Sequence, residues 1–314
     1  MKIMITGGAG FIGSNLANTF LELGHEVIIY DFQLNHPFLK QDHPGMTPIQ
    51  GDILNLGGLT EIFQKTGTDI VVHLAALRNL ESQQRPLQAH SVNSTGMVNV
   101  LEAARLAGVK RVVYASSAAV YGSASYYRSL NLDPFCVKEW MPPKPYNVYG
   151  ATKLYNEQMA ARYMEIYGLK TIGLRVSIVV GPGKKQGSKT SEFNDVIEAP
   201  VRKVAASISS YADQKVNIIF VNDVVNGFLC ACTAHKCGHS IYNLGGYRIN
   251  TRELVAAVQN TFPESQITIA ESEKERAVAS AIDSTLAKEE LGYEPQLTLY
   301  DAIRNHNQIL AKNL

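Results

Sequence analysis

The stretch that decides the fold is residues 3–13, which read IMITGGAGFIG. An apolar run breaks into glycines and then continues as an amphipathic segment, a pattern that predicts a strand, a tight turn and a helix. Because glycine has no side chain, the backbone N–H groups of such a turn can approach a pyrophosphate closely. The glycines fit two spacings, Gly7-x-x-Gly10-x-x-Gly13 and Gly8-x-Gly10-x-x-Gly13. The stretch predicts a dinucleotide site, against the alternative of a glycine-rich turn that binds nothing.

An acidic residue, Asp31, ends the next apolar run at residues 27–30. A carboxylate at this position accepts hydrogen bonds from the ribose hydroxyls of a dinucleotide. Its negative charge would repel the 2′-phosphate of NADP, and the following residues, Phe32, Gln33 and Leu34, provide no cation. The sequence therefore favours NAD over NADP as the cofactor.

Short β-branched runs alternate with amphipathic helices up to about residue 180, the pattern of a doubly wound parallel sheet. This predicts an α/β Rossmann-type NAD-binding domain over residues 1–180. A smaller C-terminal α/β substrate-binding lobe over residues 181–314 follows. Some segments of one part are expected to pack as elements of the other. Predicted strands are residues 2–6, 26–30, 47–50, 70–74, 111–116 and 171–176; predicted helices are 11–23, 58–65, 91–107, 148–167, 192–207, 221–233, 252–261 and 284–291. The irregular stretch 123–145 is interpreted as a lid or substrate wall.

Composition excludes several function classes. Lys+Arg number 29 and Asp+Glu 28, so charge predicts neither a nucleic-acid nor a membrane partner. No apolar run is long enough to span a membrane or serve as a signal peptide. The cysteines lack a C-x-x-C pair, and with their free thiols they suit a reducing cytoplasm. The segment 235–239 carries His235, Cys237 and His239, but we interpret it as a loop and predict no metal.

Tyr149 and Lys153 are spaced so that both side chains share one face of a helix. A tyrosine loses its proton near pH 10, and a nearby ammonium, with a cationic nicotinamide ring, is expected to lower that pKa. Tyr149 then takes a proton from a substrate hydroxyl while a hydride leaves the same carbon, and Lys153 holds the nicotinamide ribose. Ser117 follows a predicted strand and is expected to hydrogen-bond the reacting oxygen. Plain structural roles, a cap for Ser117 and packing for Tyr149, remain the alternatives.

Four ordered motifs resemble those of the extended short-chain dehydrogenase/reductases, the NAD-dependent epimerase/dehydratase family. They are GGAGFIG (7–13), HLAA (73–76), YASSAAVYG (114–122) and YGATK (149–153). Later landmarks, FVNDVV (220–225), YNLGG (242–246) and LGYEP (291–295), extend the resemblance over almost the whole chain. It implies that Ser117, Tyr149 and Lys153 are catalytic. It also implies a homodimer formed through the helices 91–107 and 148–167.

The resemblance further implies which residues surround NAD. Besides Tyr149 and Lys153, they are Gly7, Gly10, Phe11, Ile12, Gly13, Asp31, Asp52, Ile53, Leu74, Ala75, Ala76 and Asn93. Asp52 and Ile53 correspond to the family's adenine position, and Ala75 and Ala76 to the turn near the ribose and pyrophosphate.

Departures from the family pattern concern the substrate. Dehydratases of the family carry an acidic pair where this chain has Ala118 and Ala119, so loss of water by that route is not expected. Nucleotide-sugar members carry an asparagine where this chain has Ile178, and an arginine near the position of Val216. Loss of these anchors removes charge-assisted hydrogen bonds to a diphosphate. Four cations are candidate replacements, with a solvated surface role as the alternative for the lysines: Lys184, Lys185, Lys189 and Arg276.

Three functions follow from these residues. The first is an NAD-dependent dehydrogenase or reductase that acts on a secondary alcohol or ketone of a small polar substrate. The second is a UDP-sugar epimerase that keeps NAD tightly bound. The third, a non-catalytic NAD sensor, has no need for an intact serine, tyrosine and lysine. The catalytic residues do not separate the first two, because both functions use them.

Overall fold

The computed structural model describes residues 1–39, 42–184, 190–210, 214–235, 237–272 and 281–312. The strands are β1 (Lys2–Thr6), β2 (Glu26–Asp31), β3 (Met46–Gln50), β4 (Ile70–His73), β5 (Arg111–Ser117), β6 (Thr171–Val176), β7 (Ile178–Val180), β8 (Ala206–Ser210), β9 (Val216–Phe220), β10 (Ile241–Leu244), β11 (Tyr247–Ile249) and β12 (Ile267–Glu271). The helices are α1 (Phe11–Glu22), α2 (Leu56–Thr66), α3 (Asn79–Gln84), α4 (Pro86–Ala89), α5 (Gly96–Leu106), α6 (Ala124–Ser129), α7 (Val148–Tyr167), α8 (Ser191–Arg202), α9 (Val221–Thr233), α10 (Thr251–Thr261), α11 (Thr285–Leu291) and α12 (Leu299–Ala311).

A parallel sheet of seven strands, in the order β10-β6-β5-β4-β1-β2-β3, forms the centre of the molecule. Alternate residues of β1 point to opposite faces: Ile3 and Ile5 pack with α1 and α9, and Met4 packs with α2, α5 and α7. Apolar side chains are therefore buried on both faces of the sheet, as parallel strands require. The prediction of a doubly wound Rossmann-type α/β fold is confirmed.

Two smaller sheets, β11-β9-β7 and β12-β8, belong to the C-terminal part of the chain. A separate core lies between them and helices α8, α10 and α12, and it contains Phe193, Ile218 and Ile303. Two elements beyond residue 180 pack on the large unit instead: β10 pairs with β6, and α9 contacts α1. The boundary between residues 180 and 181 stays a prediction.

Two predicted helices differ from the structure. The helix predicted over 192–207 ends at Arg202, where Lys203 has a φ of +54°, and residues 206–210 form β8. This strand depends on pairing with the distant β12, which local sequence does not reveal. The helix predicted over 91–107 begins as a π-helical segment, His90–Thr95, that continues into α5. This segment contains Asn93, and π-turns inside helices are frequent at functional sites.

Candidate active site

The glycine turn joins β1 to α1 at the carboxyl edge of the large sheet. Gly7 has a φ of +71°, and a Cβ on it would lie 2.6 Å from the backbone nitrogen of Ala75. A Cβ on Gly13 would overlap the carbonyl oxygen of Gly7. The turn is therefore pressed against the loop after β4, with the start of α1 directly behind it. Gly10 is the N-cap of α1, and glycine has no side chain that could accept from the first backbone N–H groups of the helix. These N–H groups can therefore bind an anion.

Asp31 ends β2 beside this turn. Its Oδ2 accepts a hydrogen bond from the backbone N–H of Ala9, at 3.0 Å. The carboxylate is thus held at the sheet edge next to the glycines, as a ribose-binding residue must be. Residues 32–34 are Phe, Gln and Leu, so this segment provides no cation to compensate the charge of Asp31.

Asp52 and Ile53 follow β3 on the same edge of the sheet. Asp52 Oδ1 accepts from the N–H of Leu54 at 2.9 Å, and its carbonyl oxygen accepts from the Tyr30 hydroxyl at 3.1 Å. The Ile53 side chain is buried against Gly96, where a Cβ would collide with it. These contacts fix the wall that the family resemblance assigns to the adenine.

Asn93 acts on the loop after β4, which contains Leu74, Ala75 and Ala76. Its Oδ1 accepts from the Leu77 N–H at 2.7 Å, and its Nδ2 donates to the Leu77 carbonyl at 3.1 Å. Nδ2 also lies 3.2 Å from Thr152 Oγ1 on α7. Asn93 is completely buried. The structure thus makes it a positioning residue that joins the loop to α7.

Ser117, Tyr149 and Lys153 meet at the ends of β5 and α7. A Cβ on Gly150 would overlap the carbonyl oxygen of Ala119, so the start of α7 lies directly against the turn that follows Ser117. Ser117 Oγ accepts from the N–H of Ala119 at 3.2 Å, the expected cap role, and the same side chain is close enough to the Tyr149 phenol to lower its pKa. Lys153 Nζ lies 5.5 Å from the centre of the Tyr149 ring and donates to the carbonyl of Ala115 at 2.7 Å. All three predicted catalytic side chains are therefore brought together.

Burial is the main influence on the pKa values of Tyr149 and Lys153 in the structure. Burial raises the pKa of Tyr149 to about 12, although the Ser117 side chain and the charge of Arg78 act to lower it. Burial also lowers the pKa of Lys153 to about 8, against the opposing charge of Glu157. The lowering of the phenol pKa that is expected from Lys153 and a bound nicotinamide stays a prediction; without the cofactor, burial sets the direction of both shifts.

Two buried polar atoms without a partner in the described structure lie beside these residues. His73 ends β4, and its Nδ1 lies 2.7 Å from Thr6 Oγ1 while its Nε2 has no partner. Burial and the charge of Lys153 lower the pKa of His73 to about 3, so the ring is neutral at physiological pH. The Ser177 hydroxyl, also without a partner, follows Val176, which is paired with Ser117 across β5 and β6. Such atoms fit a polar ligand at this edge.

Sequence reasoning missed a buried network next to Lys153. Glu157 and Arg175 form a salt bridge of 2.7 Å, and both side chains are about 6% exposed. Two signals were present in the sequence. Glu157 lies one helical turn beyond Lys153, and Arg175 interrupts an otherwise uncharged strand.

The candidate diphosphate cations give a mixed result. Lys184 does not act as a solvated surface lysine, because its ammonium donates to Val179 O at 2.7 Å and to Thr190 O at 3.2 Å. It closes its own loop. Val216 is buried in the C-terminal core, and Ile178 is half-buried beside it. Lys185, Lys189 and Arg276 lie outside the described residues.

The predicted lid, residues 123–145, carries α6 and packs around a small core with Tyr121 and Tyr127 completely buried. Trp140 is exposed on its surface. Within the described parts of the chain, no group of three His, Cys, Asp or Glu side chains is placed to hold a metal ion. His239 instead pairs with Glu290 at 2.9 Å. None of the helices described has the length and hydropathy of a membrane span.

The NAD dependent epimerase/dehydratase family matches residues 3–245. A UDP-glucose 4-epimerase of Mycolicibacterium smegmatis is 30% identical over 316 residues, which cover 96% of each chain. The crystal structure of a UDP-glucose 4-epimerase with UDP-glucose from Thermotoga maritima is 25% identical, covers 99% of both chains and has a TM-score of 0.86. An L-threonine dehydrogenase from Clostridium difficile reaches a TM-score of 0.86 over 99% of this chain and 98% of its own at 22% identity, which shows likeness of fold alone.

Proposed function

Because the chain belongs to the NAD dependent epimerase/dehydratase family, we propose that it moves a hydride between NAD and a secondary alcohol or ketone carbon of a small polar substrate. Ser117, Tyr149 and Lys153 are its proposed catalytic residues. The observation that carries the proposal is a phenol that lies beside a buried ammonium, close to Ser117, at the sheet edge that also carries the glycine turn. When bound, NAD supplies the hydride acceptor or donor.

The described residues fit this cofactor. The glycine turn and the N-terminus of α1 are suited to the pyrophosphate, and Asp31 to the adenosine ribose. Asp52 and Ile53 line the adenine end. Lys153 and the free Ser177 hydroxyl lie at the nicotinamide end.

Tyr149 moves the proton in this proposal. With a pKa of about 12 the phenol is protonated at neutral pH, so it can donate a proton to a ketone oxygen without prior ionisation. For oxidation of an alcohol the phenolate must be stabilised, and the positive charge of Lys153 is placed to do so. Ser117 holds the substrate oxygen against the phenol.

A small-substrate dehydrogenase or reductase is the first candidate. The positions at which nucleotide-sugar members carry an asparagine and an arginine are Ile178 and the buried Val216. Lys184 uses its ammonium within its own loop. The loss of both family anchors favours a substrate without a diphosphate.

A nucleotide-sugar epimerase is the second candidate. It is favoured by the relative from M. smegmatis and the structure from T. maritima, both named as UDP-glucose 4-epimerases and both similar over nearly the whole chain. This function oxidises a sugar hydroxyl and returns the hydride to the opposite face of the same carbon.

One experiment separates the two candidates. The purified protein is denatured, released cofactor is identified by mass, and the native protein is screened against secondary alcohols, hydroxy acids and UDP-sugars at the absorbance band of NADH. A dehydrogenase exchanges NAD and accumulates NADH with one of the alcohols. An epimerase releases NAD only on denaturation, accumulates no NADH and converts a UDP-sugar to its epimer. Failure of every substrate with a fully NAD-loaded protein would contradict both.

Asp31→Asn tests the choice of cofactor. Because the amide keeps the shape and its oxygen can still accept from Ala9, the turn should persist while the charge is lost. A charge-assisted hydrogen bond contributes about 1.5–3 kcal/mol, so its loss should lower NAD affinity roughly 10- to 100-fold. The affinity for NADPH should then lie closer to the affinity for NADH. Fluorescence titration with NADH and NADPH measures both. Equal affinity of the parent for the two cofactors would refute the role of Asp31.

We also propose a homodimer through the helices over residues 91–107 and 148–167. Apolar side chains are exposed on this side of the molecule: Leu87 on α4 is 80% exposed, and Tyr155 on α7 is 41% exposed. Large apolar side chains in water on adjacent helices favour burial against a second copy. Leu106, Met164, Ile166 and Tyr167 are exposed on the same helices.

The dimer is tested by the double change Leu87→Arg with Tyr155→Arg. Two charges within an apolar interface should convert a dimer to monomer at micromolar concentration, as measured by light scattering. Leu23→Arg, at an exposed leucine at the end of α1, is the matched control and should leave the mass unchanged. A parent protein that is monomeric at the same concentration would contradict the proposal.

A further inference from the structure

The carboxylate of Glu157 is buried directly beneath the proposed catalytic residues. It lies one helical turn after Lys153 on α7, within the helix that also carries Tyr149. Its Oε1 accepts from Ser116 Oγ at 2.5 Å and from Arg175 Nε at 2.9 Å. Its Oε2 accepts from Arg175 Nη2 at 2.7 Å. Both oxygens are therefore satisfied, which a buried carboxylate requires.

Arg175 is held on its other side by the proposed lid. Its Nη1 donates to the Tyr121 hydroxyl at 2.7 Å and to the Glu139 carbonyl at 3.1 Å. The Tyr121 hydroxyl in turn donates to Asn243 Oδ1 on β10 at 2.7 Å. Three separate parts of the chain thus hold the guanidinium against Glu157, so the carboxylate is fixed in place.

Glu157 and Lys153 lie one helical turn apart on α7 and bind neighbouring residues of β5, Ser116 Oγ and Ala115 O, so the carboxylate is the nearby negative charge for the ammonium. The Nζ of Lys153 is buried and donates to one carbonyl oxygen, Ala115 O. A buried ammonium without a nearby negative charge tends to lose its proton. The charge of Glu157 opposes this loss by raising the pKa of Lys153.

The other groups that face Lys153 or Glu157 do not take over this task. His73 on β4 is neutral above pH 3, and burial keeps Tyr149 protonated below about pH 12. Burial and the charge of Glu157 raise the pKa of Tyr114 on β5 well above its usual value, so this phenol is also neutral. Arg175 on β6 is cationic throughout.

We propose that Glu157, locked by Arg175, is a positioning residue that keeps the Lys153 side chain charged for cofactor binding and catalysis. This inference rests on the proposed role of Lys153. Removal of the carboxylate should allow Lys153 to lose its proton at a lower pH. Binding that depends on the ammonium should then weaken at a lower pH than in the parent.

The test uses NADH as the probe, so that turnover is not needed. The dissociation constant of NADH is measured by fluorescence from pH 6 to 9.5. In the parent, affinity should fall as the pH rises through about 8, the pKa of Lys153. In Glu157→Gln, the same fall should begin about one pH unit lower. Glu157→Asp, which keeps the charge, should retain the midpoint of the parent.

Two further variants separate the charge from the fold. Glu157→Gln combined with Arg175→Met removes the carboxylate together with the guanidinium paired with it, so it should show a shift in the same direction but smaller than that of Glu157→Gln alone. Glu198→Gln, at a buried carboxylate paired with His306 and Arg202 in the C-terminal lobe, should lose stability without any shift.

The outcomes distinguish this inference from the proposed function. A folded Glu157→Gln protein with the pH profile of the parent would overturn the role of Glu157 alone. A Lys153→Met protein that keeps the pH-dependent fall would overturn the role of Lys153, and the inference with it. Unfolding of all three changes at Glu157, including Glu157→Asp, would assign the carboxylate a purely structural role and also overturn the inference.

Discussion

Tyr149→Phe is expected to lower hydride transfer by roughly 10²- to 10⁴-fold, the usual contribution of a positioned acid or base. The aromatic ring, which lies beside the Lys153 ammonium and the turn after Ser117, is retained. Only the phenol oxygen is lost, and with it the group that exchanges a proton with the substrate oxygen. Binding of NADH should therefore change by no more than about fivefold, since one neutral hydrogen bond contributes ~1 kcal/mol.

The measurement pairs NADH titration with turnover of whichever substrate the screen identifies. Tyr155→Phe is the matched control, because Tyr155 lies on the same helix with its side chain exposed. It should keep the parent rate. A Tyr149→Phe enzyme that turns over at close to the parent rate would remove the phenol from the mechanism.

Gly7→Ala is expected to weaken NADH binding by roughly 10²- to 10⁴-fold if two N–H bonds to phosphate, each contributing about 1.5–3 kcal/mol, are lost. Gly7 adopts a φ of +71°, and its Cβ would lie 2.6 Å from the nitrogen of Ala75. The β1-α1 turn must therefore move away from the loop after β4. That movement misplaces the N–H groups at the start of α1.

Gly24→Ala separates the contact from the backbone strain. Gly24 has a φ of +77°, close to that of Gly7, but a Cβ there would meet nothing within 4 Å. Gly24→Ala should lower the free energy of unfolding by about 1–2 kcal/mol, the penalty for a left-handed backbone conformation. It should leave NADH binding intact. Thermal unfolding and NADH titration of the two variants make the comparison. Equal NADH affinity in both would contradict the assignment of the turn to the cofactor.

Much of the large sheet could be predicted because its signals are local. The glycine turn, the apolar runs of β1 and β6 and the capped ends of α7 are each contained in a few consecutive residues. Strand β8 could not be predicted, since its residues 206–210 extend only through pairing with β12. The π-helical start of the segment before α5 is likewise set by contacts with α7.

The pKa values of Tyr149 and Lys153 could not be predicted from their spacing in the sequence. The helical interval between Tyr149 and Lys153 correctly brings them together, but the pKa of each depends on how much water the fold removes. Burial acts in opposite directions on a phenol and an ammonium, since it penalises the charged form of each.

Local patterns in the chain were sufficient to predict the family and the doubly wound sheet, because the glycine turn, the apolar runs and the helical periodicity each lie within consecutive residues. Three roles became visible only in the folded chain: Asn93 supports a loop, Lys184 binds Val179 and Thr190, and Glu157 lies near Lys153. Those assignments depend on distances between residues far apart in the chain and on the exclusion of water around them. A pattern of neighbouring residues predicts neither the distances nor the exclusion of water.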